Sequence, residues 1–137
     1  MNKKLFVIFV ISLFYIGCTP NDIEIHLEKN IYLMHNGDDV NSGYVISQKI
    51  DNNISASLID ENVIEVYYNS TNIFVKSTYA KQFTYFYIIQ LQNDSSKRPV
   101  IIALKEHKYI ELTTNCVLCK KIKLKHDTLL NKWILNN

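Results

Sequence analysis

Apolar and polar residues alternate along most of the chain that follows residue 22. The alternation starts with Ile23, Ile25 and Leu27, which are separated by acidic and imidazole side chains and so predict a half-buried β-strand. Similar segments predict further strands at 31–34, 44–50, 54–59, 63–68, 73–77, 83–92 and 99–104. Asn and Asp are frequent between these segments, and their side chains favour turns because they bond to the local backbone. Turns are predicted at 28–30, 51–53, 60–62, 69–72 and 93–98, with a longer loop at 35–43. We therefore expect an antiparallel meander that curls into a small sandwich or half-barrel.

The segment 83–91 differs from the others because it is apolar on both faces of the predicted strand. A strand of this kind is typical of the centre of a sheet that is covered on two sides. We therefore expect residues 83–91 to lie inside the domain.

The last third of the chain has a mixed pattern. Residues 104–108 are compatible with the start of a helix, whereas 109–114 favour a strand. Asp127 or Thr128 is a suitable N-cap for a helix, and the apolar residues that follow have helical spacing: Leu129, Leu130, Trp133 and Ile134. This spacing predicts a short C-terminal amphipathic helix that covers the sheet. The fold class is then mainly β with one helix (α+β), in a single domain over 23–137.

The N-terminus has the pattern of an export signal. Lys3 and Lys4 precede an apolar run at 5–16, which has the length of a signal-peptide core and is too short for a membrane anchor. The run ends in Tyr-Ile-Gly-Cys at 15–18, which resembles the lipobox of bacterial lipoproteins. This resemblance implies a signal peptide at 1–17, acylation of Cys18 with palmitate or a similar chain, and a tether at 18–22. We expect the protein to be lipid-anchored on the exported side of the cell membrane or outer membrane. An ordinary cleaved signal peptide and an uncleaved anchor are the alternatives.

Length and charge narrow the possible functions. The chain has 137 residues, 47% of them hydrophobic, which suits one domain with its own core. Only three residues are glycine, and no nucleophile elbow or phosphate-binding loop is present in the sequence. We therefore expect a non-catalytic protein without a cofactor. Without the signal peptide the charge is neutral, so nucleic acid is not an expected partner.

The charge is unevenly distributed. Residues 19–96 hold ten acidic side chains and four lysines, whereas 97–137 hold nine basic and three acidic ones. The simplest interpretation is that the two parts pair within one fold. The alternative is that the basic part faces anionic lipid headgroups or an acidic partner.

Cys116 and Cys119 form the only sequence motif in the mature chain that is suited to metal binding or redox chemistry. With His107 and His126 they are weak candidates for a tetrahedral zinc site, although the spacing is not that of a standard zinc finger. A disulfide between Cys116 and Cys119 and two unpaired, buried thiols are the other possibilities. The sequence leaves the three open.

Two further clusters are notable. Eight aromatic residues lie between Tyr67 and Tyr87, and we expect them to form the core rather than a platform for sugars or bases. Asp38 and Asp39 offer oxygen ligands for calcium but lack EF-hand spacing, so a solvated loop is expected.

The order of these features resembles that of the small, uncharacterised bacterial lipoproteins grouped as domains of unknown function. The resemblance covers residues 22–104, and it is carried by a lipoprotein signal followed by these strands: Asp-Ile-Glu-Ile-His-Leu at 22–27, Ile-Tyr-Leu at 31–33, Val-Ile-Glu-Val-Tyr-Tyr at 63–68, Ile-Phe-Val-Lys at 73–76 and Tyr-Phe-Tyr-Ile-Ile at 85–89. It implies an exported lipoprotein and brings no catalytic residues.

Three functions are consistent with the sequence. The first is a non-catalytic envelope binding or interaction module with a protein partner. The second is an immunity or inhibitor protein against an envelope-acting toxin or lytic enzyme. The acidic residues of 19–96 would then contact a basic surface of that toxin or enzyme. The third is a metal or redox protein that uses Cys116 and Cys119.

Overall fold

Strands dominate the computed structural model, which describes residues 24–35, 43–127 and 132–135, with side chains up to residue 125 and at 135. Within these ranges there are nine strands and one helix, α1 (Glu106–Thr114). The strands are β1 (Glu24–Glu28), β2 (Ile31–His35), β3 (Tyr44–Asp51), β4 (Ile54–Tyr68), β5 (Asn72–Tyr79), β6 (Phe83–Gln90), β7 (Val100–Leu104), β8 (Lys120–Asp127) and β9 (Lys132–Leu135). The prediction of a mainly β fold is confirmed.

The sheet is an antiparallel meander in which each strand from β1 to β7 pairs with the next. Strand β4, with 15 residues, is long enough to pair with three other strands. Its first part pairs with β3, and its second part pairs with β5 on one edge and with β8 on the other. Strand β9 then pairs with β8. The sheet curls without closing into a barrel, as expected for a small sandwich.

The predicted turn at 60–62 is wrong, because β4 continues through these residues. Ile59 and Val63 are both buried, and they pair with Ile46 and Tyr44 of β3. Two residues of β3 thus span the same distance as four of β4, so the extra residues form a bulge. Burial on both sides of the bulge keeps the strand extended despite the turn-forming side chains.

The helix lies elsewhere than predicted. Residues 109–114, which favour a strand locally, belong to α1. The described parts of the segment expected to form a C-terminal helix belong instead to β8 and β9, where Leu124–Asp127 pairs with Lys132–Leu135. For Trp133 and Ile134, main-chain pairing with β8 therefore outweighs the helical spacing, and Leu129 and Leu130 lie outside the described residues.

Two apolar clusters cover the two faces of the central strands. The first cluster fills the inside of the curled sheet with side chains from β1 to β6 and β8. The second cluster lies on the opposite face, where Phe74, Phe86 and Ile88 pack against Tyr109 of α1. In β6, Ile89 belongs to the first cluster, whereas Phe86 and Ile88 belong to the second. The predicted cover on both sides is therefore found at residues 86–89 of β6, whereas Phe83, Thr84 and Tyr85 are exposed, contrary to the prediction.

A polar contact fixes α1 to the sheet. The hydroxyl of Tyr109 donates a hydrogen bond of 3.2 Å to Glu65 Oε1 of β4. Lys123 of β8 lies 3.6 Å from Glu65 Oε2, so this carboxylate links three elements. Burial, with the adjacent Glu65 charge, raises the pKa of the Tyr109 phenol.

Candidate functional site

The aromatic residues of 67–87 divide into a buried and an exposed group. Phe74 and Phe86 are buried in the second cluster, as expected. Tyr79, Phe83 and Tyr85 are instead 61%, 55% and 40% exposed. We refer to these three residues as the aromatic patch. The prediction that all eight rings form the core is therefore only partly correct.

The β5–β6 hairpin places the aromatic patch at its end. Tyr79 and Phe83 are the last residue pair of β5 and β6 before the turn. The Gln82 N–H donates a hydrogen bond of 3.1 Å to the Tyr79 carbonyl. Ala80 and Lys81 between them have φ values of 52° and 57°. Positive φ at both central residues is the geometry of a type I′ turn, which matches the twist of a hairpin but is unfavourable for residues with a Cβ.

Two carboxylates lie beside the aromatic patch. Asp60 and Glu61, in the bulge of β4, line a shallow hollow of about 310 Å³ together with Tyr79 and Tyr85. The Tyr87 hydroxyl donates a hydrogen bond of 2.9 Å to Glu61 Oε1. Burial and this bond raise the pKa of Tyr87 to about 12. Glu61 is thereby held at the edge of the hollow as an acceptor.

The rings and the carboxylates together form a surface suited to protein binding. Tyr85 stacks on Tyr87 with ring centroids 6.5 Å apart and planes inclined by 27°. Tyrosine and phenylalanine are enriched at protein interfaces because they offer a large, rigid apolar area at a small cost in side-chain entropy. Asp60 and Glu61 add negative charge, which complements a basic partner. The sequence analysis did not place these acids beside the rings, because Asp60-Glu61-Asn62 is typical of a turn.

Cys116 and Cys119 are joined by a disulfide, with Cα atoms 5.4 Å apart. Both cysteines are half-buried and pack against the second apolar cluster. The side-chain amide of Asn69 donates to the sulfurs of Cys116 and Cys119 at 3.4 and 3.7 Å. Of the three arrangements that the sequence leaves open, the structure thus contains the disulfide, whose sulfurs are not thiolate ligands.

Apart from the two joined cysteines, the candidate zinc ligands are separated along the backbone. His107 lies in the first turn of α1, and Cys116 follows the end of that helix. His126 lies near the end of β8, whereas Cys119 directly precedes its first residue. Within the described ranges, no three His, Cys, Asp or Glu residues cluster as a metal site would require.

A second hollow lies between the β3–β4 hairpin and the loop after β6. It has a volume of about 600 Å³, and its lining includes Lys49, Ile50 and Arg98. Gln48 donates to the carbonyls of Ser95 and Lys97 at 3.4 and 3.2 Å, which fixes the loop to β3. The hollow therefore forms where this loop packs against β3, and its lining reflects the packing of the sandwich.

Several predicted features lie outside the described residues. These are the signal peptide at 1–17, the acylated Cys18, the tether at 18–22 and the loop with Asp38 and Asp39. Across the part of the chain that is described, none of the helical structure is long and apolar enough to traverse a bilayer.

Comparison of the chain with protein-family models, with curated proteins and with solved structures finds no match. The function must therefore be inferred from the chemistry of the described surfaces.

Proposed function

We propose that the protein is an exported bacterial lipoprotein, anchored by acyl chains on Cys18, that acts as a non-catalytic binding module. The observation that carries the binding role is the aromatic patch beside Asp60 and Glu61. Exposed aromatic side chains that lie together and adjoin fixed charges are typical of the energetic centre of protein interfaces. The lipidation rests on the Tyr-Ile-Gly-Cys pattern at 15–18.

The anchor is tested by measuring the intact mass of the protein extracted from membranes. A species that begins at Cys18 and carries acyl chains is expected, and a Cys18→Ala variant should lack it. An unmodified mass in the native protein would contradict the lipoprotein assignment.

The binding surface is tested by placing a photo-crosslinking amino acid in place of Phe83. The control places it at Ile110, which is 53% exposed, close to the 55% of Phe83. Ile110 is in α1, on the opposite face of the sheet from Tyr85 and Tyr87. We expect a discrete crosslinked protein from position 83 and none from position 110. The same yield from both positions would contradict a specific surface.

The charge of the surface favours the inhibitor function as the second candidate. Asp60 and Glu61 would face basic side chains on a toxin or lytic enzyme, so binding should weaken as salt rises. Loss of this gene should then make the cell sensitive to that enzyme, and an Asp60→Asn, Glu61→Gln variant should restore protection only partly. Full protection by the variant would show that the two carboxylates do not contribute to the interface.

A further inference from the structure

The most exposed large apolar side chains of the described residues lie inside the disulfide ring. Val117 is 92% exposed and Leu118 is 87% exposed. We refer to these two residues as the apolar loop. Cys116 and Cys119 on either side of it are half-buried, so the ring holds the two side chains outward from a fixed base.

The backbone of the apolar loop is also fixed. Val117 N–H donates to the Asn115 carbonyl at 3.1 Å, and Cys119 N–H donates to the Cys116 carbonyl at 3.3 Å. Together with the disulfide, these bonds present the two side chains in one arrangement. Binding through them would therefore cost little conformational entropy.

Lysines directly follow the apolar loop. Lys120 and Lys121 begin β8, and both are exposed. Their ammonium groups lie over the rings of Tyr68 and Tyr67, with 5.9 and 4.8 Å between nitrogen and ring centroid. Glu28 lines the same hollow as Leu118 and Lys120, with uncharged neighbours at 69–71. Cations thus outnumber acids around the apolar loop.

Where the structure is described, the acidic part of the chain neutralises the basic part at few places, with Glu65 close to Lys121 and Lys123. Among the described residues, one salt bridge joins the two parts, that of Lys123 with Glu65. The other two salt bridges lie within one part each. The interpretation that the acidic and basic parts pair with each other therefore accounts for little of the asymmetry.

The apolar loop is small. A stable protein interface buries about 800 Å² on each side, so a protein partner would need contacts well beyond these two side chains. Insertion of a few apolar side chains between cations is sufficient, in contrast, at an anionic membrane surface. We propose that the apolar loop inserts into the headgroup region of an anionic phospholipid bilayer, with Lys120 and Lys121 on the lipid phosphates.

The proposed anchor is compatible with this orientation. Glu28, at the end of β1, lines the same hollow as Leu118, and β1 has five residues. Six residues from Cys18 to Ile23 can extend about 20 Å, which is longer than β1 at about 16 Å. Cys18 can therefore reach the same membrane plane. This reach rests on the proposed function, because it requires an acyl anchor on Cys18.

Such docking would present the aromatic patch to solvent. Leu118 lies beside Thr71, just before β5, and Tyr79 is the last residue of β5. An eight-residue strand is about 23 Å long, so the two surfaces lie near opposite ends of β5. The membrane would hold one end and leave the other free to bind a partner.

Tryptophan fluorescence of the full chain in lipid vesicles tests the proposal. The reporter is a Leu118→Trp variant, and the wild-type chain, with Trp133 alone, gives the background. The matched control is Phe83→Trp, an exposed position at the opposite end of β5. Vesicles contain phosphatidylglycerol or phosphatidylcholine, with brominated acyl chains as quenchers.

We expect tryptophan at position 118, and not at position 83, to be quenched by bromines at the depth of about 5–10 Å that interfacial side chains reach. Quenching should be stronger in phosphatidylglycerol. Lys120→Ser and Lys121→Ser should each lower the partition constant into those vesicles roughly fivefold.

Equal quenching at positions 118 and 83, or none at position 118, would overturn the proposal. Insensitivity to both lysine substitutions would overturn the requirement for anionic lipid. A photo-crosslinker at Leu118 that captures one protein in cells, instead of lipid, would also overturn it. If the native protein lacks acyl chains but position 118 is quenched, the lipoprotein assignment fails and the docking stands.

Discussion

The contact between Tyr109 and Glu65 should contribute measurably to stability, because it fixes α1 and β8 to the same strand. A hydrogen bond to a charged group contributes about 1.5–3 kcal/mol. Tyr109→Phe removes the hydroxyl and keeps the buried ring, which is 3% exposed. Glu65 retains Lys123 and is 18% exposed, so its carboxylate stays partly solvated. We therefore expect a loss at the lower end of that range, about 1.5 kcal/mol.

Larger truncation should cost more. Tyr109→Ala also removes the ring from its contact with Phe86, where the centroids are 5.0 Å apart. Removal of a buried aromatic ring costs about 3–5 kcal/mol. The difference between the two variants separates the packing of the ring from the hydrogen bond of its hydroxyl.

The assay is urea unfolding at neutral pH, followed by circular dichroism. Glu65→Gln and the double variant with Tyr109→Phe complete a double-mutant cycle, whose coupling energy should be about 1 kcal/mol. Tyr79→Phe is the control, because this hydroxyl belongs to a side chain that is 61% exposed. The control should change stability by less than about 0.5 kcal/mol. A coupling energy near zero, with Tyr109→Phe equal to the control, would refute the docking of α1 on β4.

Three further outcomes are expected. Replacing the turn by Ala80→Asn with Lys81→Gly should raise the free energy of unfolding by about 1 kcal/mol, because these residues accept positive φ; a lower urea midpoint would contradict the turn geometry. Cys116→Ser with Cys119→Ser should cost about 2 kcal/mol, the loop-entropy value for a ring of about four residues, and an unchanged midpoint under non-reducing conditions would contradict that. For Tyr87, the folded pKa of about 12 exceeds the ordinary 10.0, so its contribution to stability is complete below pH 10 and is lost as the pH rises to about 12. Phenolate absorbance should show late-titrating tyrosines, since the pKa of Tyr109 is also raised, and the component near pH 12 should be absent from the Tyr87→Phe titration.

The candidate surfaces were only partly visible in the sequence. Clustering of aromatic residues marks the segment that contains Tyr79, Phe83 and Tyr85, but a period of two does not distinguish a ring at the end of a hairpin from one at its centre. Phe74 and Phe86 are covered because α1 packs on that part of the sheet, whereas nothing described covers Tyr79 or Phe83. The spacing of Cys116 and Cys119 likewise left three arrangements open, and the disulfide required their positions in space.

Local interactions determine most of the strands. Alternation of apolar and polar residues fixes which face of β1 or β2 is buried, and Asn30 lies in the turn between these strands, which contains no glycine. These signals act over a few residues and need no distant partner. They are sufficient for the antiparallel meander and for the burial of residues 86–89 on both faces of β6.

Contacts between distant residues decided the remaining features. Pairing with β3 and β5 carries β4 through the turn-forming residues at 60–62, and pairing with β8 makes Lys132–Leu135 a strand. Burial of Tyr109 against Phe86 favours a helix at 106–114 over its local strand preference. In each case the free energy of long-range pairing or burial exceeds a local propensity of less than about 1 kcal/mol per residue. The sequence by itself thus determined the periodic strands and their turns. The tertiary structure decided the secondary structure of those segments in which the local pattern favours one conformation and long-range pairing or burial favours another.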